Sequence, residues 1–178
     1  MTPFTAILIG NETLALQCGV ALLSRGHTLV AVVTRHPAVA DWAQAQGLRV
    51  EAPGPDLADR LPEADWLLSI ANLDLIPDAV LGRARRGAIN FHDGPLPAYA
   101  GLNAPVWALL NAERQHGVTW HLIGDGIDTG SILVQRMFDL APGDTALTAN
   151  AKAYEAGMES FPDLLDALER GAAGRPQD

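Results

Sequence analysis

Cysteine is nearly absent: the 178 residues carry one, Cys18. A single thiol excludes an internal disulfide framework, and a lone Cys in an apolar helical stretch is expected as a packing residue. Positive charge is also scarce, with 12 Lys+Arg against 21 Asp+Glu and a formal net charge of −9. An acidic chain gains little from the counterion release that drives binding to nucleic acid, so no nucleic-acid partner is expected. The one local basic cluster, Arg83, Arg85 and Arg86, reads as a solvated helix end. No run approaches the roughly 18 uninterrupted apolar residues of a membrane span. No charged start leads into an apolar run at the N-terminus either. A cytoplasmic protein without a membrane partner is the expectation.

What is present is apolar and alternating. Apolar residues make up 48% and charged residues 19% of the chain, enough to bury a core in one domain. Apolar runs at 4–10, 27–34, 48–51, 66–70, 88–92, 118–122 and 132–139 read as strands. Helical spacing appears at 12–24, 37–46, 103–111 and 145–169, with a short helix near Pro77 and Asp144 as a plausible N-cap of the last. This pattern predicts an α/β fold: an open, mostly parallel twisted sheet with helices on both faces. One domain over residues 1–170 is expected, followed by a small polar tail at 171–178.

The first turn, Gly10-Asn11-Glu12-Thr13-Leu14-Ala15, has one glycine where a dinucleotide fingerprint needs three. Glu12 puts negative charge where a pyrophosphate would lie, which disfavours NAD. Ligands of open α/β sheets bind beyond the carboxyl ends of strands, so Gly10 and Asn11 are candidate substrate-binding residues; an ordinary tight turn is the alternative.

Chemistry concentrates at Asn90-Phe91-His92-Asp93-Gly94-Pro95-Leu96-Pro97. Strand residues alternate faces, so Asn90 and His92 point one way and Ile89 and Phe91 the other. A carboxamide and an imidazole thus share one face of an apolar strand at its carboxyl end. The second cluster is Gly124-Asp125-Gly126-Ile127-Asp128-Thr129-Gly130. Its Asp-Gly and Thr-Gly pairs are turn chemistry, yet they could also carry a carboxylate up to the imidazole.

Those two motifs in this order, with Pro-Leu-Pro, Gly101 and Gly117-Val118-Thr119 between them, resemble the folate-dependent formyltransferases. That family acts on glycinamide ribonucleotide, methionyl-tRNA and sugar nucleotides. The resemblance covers roughly Phe4 to Leu168 and implies a Rossmann-like fold with Asn90, His92 and Asp128 as the catalytic trio. It implies 10-formyltetrahydrofolate as co-substrate, held by Leu73, Asp74, Leu75 and Ile76 with Asp125 and Ile127 closing over it. Gly94 and Pro95 would join Gly10 and Asn11 on the acceptor side. Where the family has Ser-Leu-Leu-Pro after the His, this chain has Asp93-Gly94-Pro95-Leu96-Pro97. That variant, together with Leu102 to Ala108 and Leu147 to Lys152, is similar to formylation domains of nonribosomal peptide synthetases. It implies an aminoacyl acceptor on a peptidyl carrier protein, with a sugar-nucleotide amine or formyl-folate hydrolysis as alternatives. A catalytically silent binding module is the non-enzymatic alternative.

His116 and His121, five apart, would point to opposite faces of a strand, so no metal site is expected from them. The tryptophans at 42, 66, 107 and 120 are expected in the core or half-buried, with Trp107 or Trp120 as possible acceptor contacts.

Overall fold

The computed structural model describes residues 2–178, which form a seven-stranded sheet in the order β3-β2-β1-β4-β5-β6-β7. The elements in chain order are β1 Thr5–Ile9, α1 Thr13–Ser24, β2 Thr28–Val33, α2 Pro37–Ala45, β3 Val50–Glu51 and α3 Leu57–Arg60. They continue with β4 Ala64–Ser69, α4 Asp78–Leu81, β5 Ala84–His92, α5 Ala104–Leu110, β6 Gln115–Leu122, β7 Ile132–Asp139 and α6 Ala146–Glu169. The chain resolves into two compact units, one up to Asn90 and one from Phe91 onward.

In the first unit β1 pairs in parallel with β2 and β4, and β4 with β5. Ala6, Ile7, Leu8 and Leu67, Leu68 are all fully buried. That explains why these strands read as continuous apolar runs rather than alternating ones. The helix α1 turns Leu14, Ala15, Cys18 and Leu22 inward at helical spacing. Cys18 is fully buried, and desolvation pushes its thiol far above its ordinary range. It is a packing residue, as expected.

The second unit holds the antiparallel pair β6–β7, covered by α6, the longest helix. Trp120 is its centre: fully buried, tilted against Phe91 and Phe161, with Nε1 donating to Ser160 Oγ at 2.9 Å. Trp120 is therefore a core residue, whereas Trp107 is 55% exposed.

Two local expectations are corrected. The N-cap of α6 is Thr145, not Asp144. Its hydroxyl accepts from the Thr148 N–H while Thr148 Oγ1 accepts from the Thr145 N–H, a reciprocal box. Asp144 instead takes Lys152 Nζ at 2.5 Å. Only Arg83 of the Arg83–Arg86 cluster lies at a helix end, just past the Gly82 C-cap of α4 with its N–H on the Val80 carbonyl; β5 begins at Ala84 and contains Arg85 and Arg86. Pairing of Ala84 with Ala64 extends the strand backwards. Arg86 stacks 4.8 Å from the Trp66 ring, and Arg85 meets Asp65 at 3.3 Å, so both cations have partners on the sheet. Among the described residues no helix is long and apolar enough to cross a membrane.

Candidate active site

Strand β5 carries Asn90 and His92 to its carboxyl end. Asn90 is in register with Ser69, the last residue of β4, and His92 is 5% exposed. The chain then breaks into the 93–101 loop, which Thr119 on β6 fixes. The Thr119 hydroxyl donates to the Gly94 carbonyl at 2.7 Å and accepts from the Leu96 N–H at 3.1 Å. Gln135 Nε2 adds a bond to the Leu96 carbonyl at 2.9 Å. A loop whose inward backbone groups are answered in this way holds its shape.

The imidazole of His92 is held from both ends. Its Nε2 lies 2.5 Å from the Tyr99 carbonyl oxygen. A carbonyl only accepts, so Nε2 is the donor in this contact and Nδ1 is left to face the carboxylates. Nδ1 faces Asp128 Oδ2 at 3.5 Å and Asp93 Oδ1 at 4.0 Å. The close approach to Tyr99 depends on Gly94, where a Cβ would lie 2.7 Å from His92 Nε2 and 2.7 Å from the Tyr99 oxygen.

Asp128 lies in the loop between β6 and β7 with a left-handed backbone, φ 54°. Aspartate tolerates that conformation better than most side chains. Its Oδ2 accepts from the Gly101 N–H at 2.9 Å, and its Oδ1 is 3.4 Å from His121 Nε2. Burial alone would push this carboxyl up. The His121 imidazole, the Gly101 N–H and His92 outweigh it and hold Asp128 below its ordinary range. Gln177 Nε2 donates to the Asp128 and Gly130 carbonyls from the far side of the loop.

The sequence therefore predicts a pairing that the second unit contains: His92 with Asp128. His121 and Asp93 complete the cluster and were not among the candidates. His121 was legible only as an imidazole just ahead of the aspartate loop. His116 goes elsewhere: Nε2 donates to the Asp93 carbonyl at 2.8 Å, and its ring meets Tyr99 and Phe138 edge-on. Burial pushes His116 below its ordinary value.

The other candidates take different places. Gly10 is packed so tightly that a Cβ would lie 2.4 Å from both the Ala15 Cβ and the Ile70 carbonyl oxygen. Asn11 Oδ1 accepts from the Arg35 N–H at 2.7 Å, pinning the end of β2. Pro95 is half-buried, and its carbonyl accepts from the Ala98 N–H at 3.1 Å. In the loop after β4, Leu73 and Leu75 are each 85% exposed, Ile76 is half-buried, and Asp74 forms an ion pair with Arg35. Asp125 and Ile127 are exposed on the loop that carries Asp128. A groove of about 320 Å³ between β7 and α6, lined by Arg136, Lys152, Glu155 and Glu159 among others, includes none of these residues.

Solved structures share this architecture. A glycinamide ribonucleotide transformylase from Symbiobacterium toebii superposes with a TM-score of 0.84 at 20% identity, covering 98% of this chain and 93% of its own. An N-formyltransferase from Helicobacter canadensis, solved with folinic acid and dTDP-3-aminofucose, gives 0.82 at 20% identity over 99% of this chain and 68% of its own. These show that the chain shares their Rossmann-like fold. Residues 56–165 match the family described as Formyl transferase, and the chain belongs to that family. A methionyl-tRNA formyltransferase of Anaeromyxobacter dehalogenans (strain 2CP-C) is 34% identical over 92% of this chain. The chain spans 58% of that relative's length.

Proposed function

We propose that this chain transfers a formyl group from 10-formyltetrahydrofolate to an acceptor amine, with Asn90, His92 and Asp128 as the catalytic residues. The observation that carries the reading is the placement of His92 Nδ1 3.5 Å from Asp128, two residues beyond Asn90 on one strand. Attack of an amine on the formyl carbon develops negative charge on the formyl oxygen. The Asn90 carboxamide supplies a donor to it and a protonated His92 supplies positive charge beside it, the preorganised stabilisation that dominates acyl transfer. An ionised Asp128 favours the charged imidazole and sets its orientation.

In this reading the donor's pterin lies against Leu73, Asp74, Leu75 and Ile76, with Asp125 and Ile127 near it. The acceptor is an aminoacyl group on a peptidyl carrier protein, in a cytoplasmic peptide synthetase. The Asp93-Gly94-Pro95-Leu96-Pro97 variant supports that acceptor. The relatives' own name offers tRNA as a second acceptor. A net charge of −9 weighs against it, because tRNA binding draws on phosphate neutralisation.

The test is to mix the chain with 10-formyltetrahydrofolate and a panel of amines, following tetrahydrofolate release by absorbance. The panel includes carrier-bound aminoacyl groups, an amino-sugar nucleotide and methionyl-tRNA. Release only with carrier-bound amines supports the reading. Release with no amine identifies a hydrolase. Absence of both release and folate binding leaves a silent module.

A further inference from the structure

Two carboxylates face one imidazole nitrogen, and they are not equivalent. Asp128 has both oxygens engaged: Oδ2 by the Gly101 N–H at 2.9 Å and by His92, Oδ1 by His121 Nε2 at 3.4 Å. Its side chain is only 12% exposed. A carboxylate whose lone pairs already point at donors is a weak proton acceptor. Asp93 is the other kind. Its side chain is 34% exposed, and its one ion-pair partner among the described residues is His92 at 4.0 Å. The Asp93 carbonyl is taken by His116, which fixes the backbone that carries this carboxylate.

We propose that Asp93, rather than Asp128, takes the proton that the acceptor amine sheds. This rests on the formyl-transfer reading above. The amine nitrogen bonds to the formyl carbon and carries one proton too many. Asp93 accepts that proton as the tetrahedral intermediate forms. When the carbon–N10 bond breaks, its electron pair stays on N10 of the folate, and the proton passes from Asp93 to that nitrogen. One formamide and one tetrahydrofolate leave, and Asp93 is again ionised. Asp128 meanwhile stays charged, orienting His92 and stabilising its protonated form.

The groups facing Asp93 agree with this division. Burial pushes its carboxyl above the ordinary carboxylate value, His92 and His116 pull the other way without prevailing, and the negative Asp128 adds to the rise. Paired titratable groups driven in opposite directions mark an acid–base assignment. A base lifted toward the working pH is the more effective one.

The test compares wild type, Asp93→Asn, Asp93→Glu and Asp128→Asn as full chains. It measures kcat against pH with 10-formyltetrahydrofolate and the best amine of the panel, and folate affinity by fluorescence titration. Asp93→Asn is expected to lower kcat on the order of 10²-fold and to abolish the acid-side limb. Asp93→Glu should restore a limb at shifted pH, and folate affinity should not change in either. Asp128→Asn should lower the plateau and keep a limb. Loss of the limb in Asp128→Asn but not in Asp93→Asn overturns the proposal, as does a fall in folate affinity that accounts for the Asp93→Asn defect. A wild type that releases no folate with any amine removes the formyl-transfer reading and this proposal together; turnover with an unaltered Asp93→Asn profile removes this proposal alone.

Discussion

Gln177 holds Asp128 by the backbone: Nε2 donates to the Asp128 carbonyl at 2.7 Å and to the Gly130 carbonyl at 2.7 Å. The segment that carries Gln177 is itself anchored, because Arg175 forms a two-way backbone bridge with Ile132 at the start of β7. Residues 174–178 thus brace the loop that presents the carboxylate to His92.

Gln177→Ala removes both bonds, each worth roughly 1 kcal/mol net. A chain of this size should lose about 2–4 °C in Tm for each kcal/mol. Amide hydrogen exchange across residues 124–130 should quicken, since a loop with fewer tethers opens more often. Unchanged exchange in that loop would show that the two bonds do not restrain it.

Gly94→Ala introduces a methyl 2.7 Å from His92 Nε2 and from the Tyr99 oxygen, and 2.9 Å from the Ala104 Cβ. Two of these neighbours are fixed by backbone, so the imidazole has to move. The expected cost is about 1–3 kcal/mol of stability, with a larger proportional loss of turnover. Denaturant unfolding and kcat measured on the same sample check both. Full activity in Gly94→Ala would mean that the Tyr99 contact is dispensable.

Asp128 is held below its ordinary carboxyl value of 3.8. For a group depressed on folding, the stabilisation is complete above the unfolded value and disappears as pH falls through the folded one. Wild type should therefore exceed Asp128→Asn in stability at neutral pH, and the gap should close below about pH 4. Thermal melts of both proteins between pH 3 and 8 measure it. A gap independent of pH would show that the charge plays no part.

Ser160→Ala leaves the indole N–H of Trp120 buried without its acceptor, at a cost of about 1–3 kcal/mol. Catalytic rates per folded molecule should not change, because Trp120 packs against Phe91 and Phe161 rather than reacting groups. Chemical denaturation combined with kcat separates the two effects.

Strand alternation made Asn90 and His92 legible as one face of β5. Asp-Gly turn chemistry marked the 124–130 loop but left turn and site equally open, and only the resemblance to the formyltransferases singled out Asp128. Gln177 was not legible, since its contact with Asp128 spans 49 residues and leaves no periodic trace. His121 was weighed only as a partner of His116, whereas register irregularity after Trp120 and the loop beyond it bring it to Asp128. The Arg83–Arg86 cluster is solvent-exposed at Arg85 and Arg86, as its charge suggested, but pairing with β4 places those two in a strand rather than at the helix end that Arg83 marks.

The left-handed backbone at Asp128 separates two properties that substitution normally confounds. Asparagine or glycine there keeps the turn and deletes the charge, so any lost activity reports electrostatics. Valine or isoleucine disfavours the turn as well. A comparison of the two pairs at this one position would tell how much of the site is charge and how much is shape.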